Sequence, residues 1–311
     1  MPNLHSHAFQ RAMAGKAESG GGAEDSFWTW RELMYRFVGR LEPEDVAAIA
    51  AFAYLEMIEA GYTSVAEFHY LHRQPNGEPY ADPAAMAQAT RSGASRAGIR
   101  HVLLPCLYQN SGFGGQPPSA RQRRFCQDTD SFLRLFESLD RLDSRTQTTG
   151  IALHSLRAVT PDVLRTVVAG VRAARPAVPI HIHIAEQSKE VAECLAWSGR
   201  RPIELLLDMG IVDAHWCLVH ATHATPAELH AVAQTRAIAG LCLTTEANLG
   251  DGLFPSDSFV AAGGRFGIGT DSQVSIDPRE ELRTIEYTLR LWRQRRILRS
   301  EEHTSELQSP I

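Results

Sequence analysis

Short apolar, β-branched runs alternate along this chain with longer stretches in which apolar positions recur at helical spacing. Runs of four to eight such residues read as strands, and apolar positions at i, i+3 and i+4 read as amphipathic helices. The strand runs are Thr63–His69, His101–Tyr108, Thr149–Ser155, Pro179–Ala185, Trp216–Ala221, Ile238–Thr245 and Phe266–Thr270. Between them the spacing predicts helices near 43–60, 82–97, 127–139, 161–175, 188–208, 225–235 and 256–263, and a further one over 279–296. Pro43, Pro83, Pro161 and Pro226 stand where a first helical turn tolerates proline. Asp277 before Pro278 reads as a helix N-cap with proline behind it. Two loops interrupt the pattern: the Gly-rich Glu18–Ser26 and the long Gln109–Ser119. Alternating strand and helix argues for a parallel sheet, closed or open.

The residues at the strand ends choose between these. Counting a first strand that ends on His5-Ser6-His7, His69 and Tyr70 close the second strand, His154 the fourth, His183 the fifth and His220 the sixth. Asp271 follows the eighth. Catalytic groups at the C-terminal ends of several strands are the mark of a TIM-like (β/α)8 barrel. A doubly wound open sheet would gather its ligand at one switch point, often behind GxGxxG, and no such fingerprint is present. No repeat and no linker divides the chain, so residues 1–298 are expected to form one α/β barrel domain.

Composition narrows the setting. The 311 residues are 44% hydrophobic and 22% charged, with a net charge of −5. No basic block is present, which argues against nucleic acid or an anionic membrane as partner. No apolar run is long enough to span a membrane, and the N-terminus lacks the apolar segment of a signal peptide. The five cysteines form no CxxC pair and read as reduced thiols. A cytoplasmic location is the resulting expectation.

The candidate chemistry is carried by His5, His7, His183, Glu186, His220 and Asp271. On a strand, His5 and His7 face the same side. With 13 histidines in the chain, one such pair is weak evidence, and His181 and His183 form a second. The strength lies in joint occurrence at strand ends. Imidazoles with a carboxylate suit a borderline cation such as zinc, which in catalytic sites activates water. Glu186, three residues past His183, can face that water without being a ligand. His181 reads as a barrel-lining residue below the metal. His72, His101, His215, His223 and His230 are given no catalytic role.

Several stretches together resemble the formimidoylglutamate deiminases of the amidohydrolase superfamily. They are "PNLHSHAFQRAMAG", "SFWTWRELMYRF", "AEFHYLH", "HSLRAVT", "HIHIAEQ", "LVHATH", "LCLTTEANLGDG" and "GRFGIGTDSQVSIDPREELR". The resemblance implies one zinc ion per chain, held by His5, His7, His183 and Asp271. It implies catalytic roles for Glu186, His220 and Asp271. It also implies that Gln10, Arg31, Tyr70, His154 and Arg157 bind substrate. The implied reaction is hydrolysis of N-formimidoyl-L-glutamate to N-formyl-L-glutamate and ammonia, in histidine degradation. A homodimer of the longer form is compatible with it.

Two competing readings remain open at this point. One is another amidohydrolase deaminase acting on a heterocycle, for which a pair of arginines would have no purpose. The other is an inactive zinc-binding gene fragment, because family members begin earlier, with strands of a small β-sandwich, and continue further. The expected fold is therefore a barrel truncated at both ends and lacking most of that sandwich. Its short first strand would leave neighbouring strand edges unpaired, and the chain as written would fold poorly. The segment Arg299–Ser309 matches no part of the family and reads, with the rest of 299–311, as a non-native tail translated from a sequencing adapter; His303 lies in it. Gln273, Leu153 and Leu243 stand where the family usually has His, Pro and Pro. Gln273 alone is close enough to Asp271 to bear on the site.

Overall fold

The computed structural model describes residues 1–16 and 27–296. The loop expected over Glu18–Ser26 and the tail 299–311 both lie wholly outside them. Nine strand segments form one parallel sheet: β1 (Pro2–Ser6), β2 (Ser64–His69), β3 (Arg100–Leu107), β4 (Gln147–Thr149), β5 (Ile151–Leu153), β6 (Ile180–Ile184), β7 (Trp216–His220), β8 (Ile238–Leu241) and β9 (Arg265–Ile268). Their order is β1-β2-β3-β5-β6-β7-β8-β9, with β4 also on β3. β4 and β5 occupy one strand position, broken at Gly150. A Cβ on Gly150 would lie 2.6 Å from Leu104 Cδ2 and 2.8 Å from the Pro179 carbonyl oxygen. Eight positions therefore make the barrel, as the alternating pattern predicted.

The expectation of unpaired edges beside the first strand fails on the β2 side and is met in part on the other, where an isolated bridge between Ser6 and Asp271, and among the described residues no ladder, joins β1 to the end of β9. β1 pairs with β2, Pro2 opposite Ser64 and Ser6 opposite Glu67. On its other side the His5 carbonyl accepts from Thr270 N–H (2.9 Å) and Asp271 N–H (3.0 Å), and His7 N–H donates to the Asp271 carbonyl (3.0 Å). Two glycines permit this approach. A Cβ on Gly267 would meet Leu4 Cδ1 at 2.3 Å, and one on Gly269 would meet the His5 backbone at 2.8 Å. Asn3 adds a clamp, its Nδ2 donating to Thr270 Oγ1 at 2.8 Å. The barrel closes where the first two candidate ligands meet the last.

Helices α1 (Phe27–Val38), α2 (Pro43–Ala60), α3 (Ala85–Ala97), α4 (Thr129–Asp140), α5 (Pro161–Ala174), α6 (Ser188–Ser198), α7 (Pro202–Leu207), α8 (Pro226–Thr235), α9 (Leu243–Leu249), α10 (Ser256–Ala261) and α11 (Pro278–Arg293) accompany the strands. Pro43, Pro161 and Pro226 open α2, α5 and α8, whereas Pro83 precedes α3, whose N-cap is Ala84. The Asp277 side chain accepts from Arg279 N–H and caps α11. The single helix expected over 188–208 is two, because Gly199 ends α6 in the left-handed region at φ 71°. The strand expected over Ile238–Thr245 stops at Leu241, and Leu243 opens α9 instead. Leu243 is thus the first residue of a helix, a position that suits leucine and proline alike. Among the described residues no helix is long and apolar enough to cross a membrane.

Candidate metal centre and active site

The parallel barrel delivers the C-terminal ends of β1, β6, β7 and β9 to one rim. Backbone strain is concentrated there. Ala185 (φ 50°), His220 (φ 67°), Ala221 (φ 50°), Asp271 (φ 46°) and Gln273 (φ 63°) all lie in the left-handed region. Such conformations cost about 1–3 kcal/mol each in non-glycine residues and gather at functional sites. Here they turn the chain off each strand so that side chains aim into the barrel mouth.

His5, His7 and His183 offer ring nitrogens that lie close together, and His5, His220 and Asp271 form a second such group. His183 Nε2 is 3.1 Å from His5 Nε2. Asp271 Oδ1 lies 3.4 Å from both His5 Nε2 and His7 Nε2. The outer nitrogens decide how these rings are used. His7 Nδ1–H donates to the Phe68 carbonyl (2.8 Å) and His183 Nδ1–H to the His154 carbonyl (3.0 Å). Each bond leaves an Nε2 lone pair aimed into the same small volume, an arrangement that a cation satisfies and another proton does not. Burial lowers the pKa of His5, takes that of His7 down to about 3 and that of His183 well below the usual imidazole value. These rings are neutral at physiological pH, the form that ligates metal. Burial works against charge on Asp271, but its contact with His5 and the surrounding imidazoles hold its pKa below the carboxylate range. Three neutral imidazoles and one carboxylate fit a divalent cation.

Beside this set stand His220 and Glu186. His220 Nε2 is 3.8 Å from Asp271 Oδ2 and 3.9 Å from Glu186 Oε1. Glu186 follows β6, and its backbone N–H donates to Glu190 Oε2 at 3.1 Å. Glu190 Oε1 also accepts from Ala185 N–H at 3.3 Å, so the first turn of α6 holds the loop that presents Glu186. Burial raises the pKa of Glu186, which favours a protonated carboxyl able to give its proton away. Burial opposes charge on His220, but Glu186, Glu246 and Asp271 outweigh it and raise its pKa.

Over the rim lies a pocket that opens at the barrel mouth. Gln10, Arg31, Tyr70, His154 and Arg157 all line it, together with His7, His183, Glu186, His220 and Asp271. Gln10 Nε2 donates to the Tyr70 hydroxyl at 2.9 Å. Arg157 is 8% exposed and its Nε has no hydrogen-bond partner. The structure therefore brings every candidate site residue but His5 to the lining of one cavity, and His5 joins it through His183, their Nε2 atoms 3.1 Å apart. Gln273 sits behind Asp271, its Nε2 donating to the Asp271 carbonyl and to Ser6 Oγ, both at 2.9 Å. His181 is buried on the β6 face it shares with His183. His72 and His101 are committed elsewhere, to the Cys106 carbonyl (2.9 Å) and the Tyr54 hydroxyl (3.3 Å).

Sequence reasoning missed several groups. Tyr35, Tyr108 and Phe125 wall the pocket, and Gln122 Nε2 steadies the Tyr108 hydroxyl at 2.6 Å. Glu246 accepts from His220 Nδ1–H at 3.1 Å. Its only signal was a carboxylate placed shortly after a strand end.

Comparison with known proteins agrees with this architecture. The chain is 57% identical over 292 residues to formimidoylglutamate deiminase of Pseudomonas aeruginosa, covering 94% of this chain and 64% of that protein. The chain thus spans somewhat under two thirds of that relative. It is 26% identical to a 5-methylthioadenosine/S-adenosylhomocysteine deaminase of Natronomonas pharaonis, over 90% of this chain and 59% of that protein. Among solved structures, an amidohydrolase from Brucella melitensis superposes with a TM-score of 0.93 at 49% identity, over 99% of this chain and 68% of that one. A zinc-bound adenosine deaminase from Xanthomonas campestris shares the fold at a TM-score of 0.78 and 22% identity, over 95% of this chain and 61% of that one. The amidohydrolase family pattern runs through residues 2–303, across every strand end that supplies a candidate ligand, and the chain belongs to the amidohydrolase family.

Proposed function

We propose that this protein hydrolyses N-formimidoyl-L-glutamate to N-formyl-L-glutamate and ammonia, with one zinc ion held by His5, His7, His183 and Asp271. The observation that carries the substrate is the pair Arg31 and Arg157, two guanidinium groups in one pocket with the metal-ligating cluster. A glutamate derivative brings two carboxylates, and the planar guanidinium fork matches a carboxylate. The name of the Pseudomonas relative supports the same substrate.

A zinc ion at this position supplies Lewis acidity and lowers the pKa of water to about 7 when bound. The chain's own residues do the rest. Asp271 Oδ2, facing His220, takes the proton of the attacking water as oxygen adds to the formimidoyl carbon. His220 Nε2 holds the developing charge at the tetrahedral centre. Glu186 gives one proton to the former imine nitrogen and the proton held by Asp271 follows it; the C–N bond breaks as the tetrahedral oxygen becomes the formyl carbonyl, its proton restores Glu186, and ammonia departs. Arg31 and Arg157 bind the carboxylates, while Gln10, Tyr70 and His154 orient the chain between them. The reading places the protein in histidine degradation in the cytoplasm.

The second reading, deamination of a ring, draws on the nucleoside deaminases among the weaker relatives. Substitution of Arg157 by Met separates the two. A site built for a dicarboxylate then loses turnover of formimidoylglutamate and keeps its metal. A site built for an uncharged ring is little affected.

A further inference from the structure

Glu246 is completely buried, in the first turn of α9, and belongs to no ligand set. One oxygen is heavily used. Glu246 Oε1 accepts from His220 Nδ1–H at 3.1 Å and from Cys242 N–H at 3.1 Å. The other, Oε2, is buried with no hydrogen-bond partner. A wholly buried carboxylate with one idle oxygen is costly, and the hydrogen bond to His220 is what it serves. His220 ends β7 at φ 67°, and its ring can turn about the broad χ2 torsion unless a partner fixes it. Its Nε2 must face Asp271 Oδ2 and Glu186 Oε1, 3.8 and 3.9 Å away. A ring flip would turn that nitrogen out of the site and leave carbon in its place.

We propose that Glu246 is the positioning residue for His220. By accepting from Nδ1–H it fixes both the orientation of the ring and which nitrogen meets the substrate. α9 makes this arrangement possible. The Cys242 N–H bond to Glu246 Oε1 starts the helix, so the same carboxylate that orients His220 also turns the chain away from β8. The helix is held from outside by Glu281 on α11, which accepts from the Thr244 hydroxyl and from Thr244 N–H. The role of His220 in turnover rests on the deiminase reading; the geometry of the ring does not.

The test uses the metal-loaded protein and two variants. Glu246→Gln keeps an acceptor oxygen, and Glu246→Leu removes it. Histidine ¹⁵N NMR without substrate reads the His220 ring directly. The wild type and Glu246→Gln should show a protonated, hydrogen-bonded Nδ1, and Glu246→Leu should lose that signal. With formimidoylglutamate, Glu246→Leu should lower kcat by about 10²-fold with KM within about twofold, and Glu246→Gln should recover kcat to within about tenfold, the pattern of a group acting through another. A wild-type His220 without a proton on Nδ1 would overturn the proposal even if Glu246→Leu failed to fold. So would a Glu246→Leu variant with unchanged kcat, or one whose loss is confined to KM. If the NMR signature holds but the protein acts on a ring and not on formimidoylglutamate, the positioning role stands and only the substrate reading fails.

Discussion

At the scale of single residues, the proposed function separates groups that would hold the metal from groups that would move protons. Glu186 belongs to the second class, since it approaches His220 and its pKa is raised by burial. Glu186→Gln should keep one zinc per chain and lose kcat by about 10²-fold or more, the scale of general acid catalysis. Metal analysis beside steady-state kinetics checks this, and loss of zinc would make Glu186 a ligand. Arg157→Met should reduce kcat/KM for formimidoylglutamate by about 10²-fold, because a substrate carboxylate would be buried unpaired. Turnover equal to wild type would remove the dicarboxylate assignment. The ligand candidates were readable in the sequence because a barrel obliges them to sit at strand ends, where local pattern is strongest. Glu246 was not, because its stretch, "LCLTTEANL", carries the apolar and β-branched residues of a strand. In the structure that stretch is helical, with Glu246 accepting from Cys242 N–H and Glu281 from Thr244 N–H at its start.

At the scale of elements, the seam between β1 and β9 is where fold and site depend on each other. Gly269→Ala would push a methyl into the His5 backbone at 2.8 Å. It should both lower the melting temperature and weaken zinc binding, read by thermal unfolding and by competition with a chelator. A variant that melts earlier yet binds zinc as before would show that the seam does not position His5. The junction of α9 and α11 gives a pH prediction. Burial raises the Glu281 pKa from 4.5 to about 8. Below pH 4.5 the group is protonated in both folded and unfolded chains. Between about 4.5 and about 8 the unfolded chain has released the proton and the folded chain has kept it, so stability falls as pH rises through this window. Glu281→Gln should flatten that decline, giving a smaller drop in melting temperature across the window than wild type. Parallel pH profiles would contradict it. The bounds of α2 were legible to the residue, with proline at its start and Gly61 at its end. The division of 188–208 at Gly199 was not, since apolar spacing continues through a left-handed residue that ends the hydrogen-bond ladder.

At the scale of the molecule, β1 and the turn after β9 share one seam, bringing His5, His7 and Asp271 together, while β6 adds His183 and β7 adds His220. The barrel class was legible from eight strand positions and their polar ends. Closure was not, because it depends on Gly267 and Gly269 admitting Leu4 and His5, a fit between distant segments that no local pattern records. The central claim is that this barrel mouth recognises an acyclic dicarboxylate amidine and releases its terminal nitrogen. The most direct measurement is ammonia release by the zinc-loaded protein from N-formimidoyl-L-glutamate, run beside guanine and adenosine at equal concentrations. The account predicts ammonia with stoichiometric N-formyl-L-glutamate from the first and none above background from the rings. Ammonia from either ring, with none from formimidoylglutamate, would contradict it.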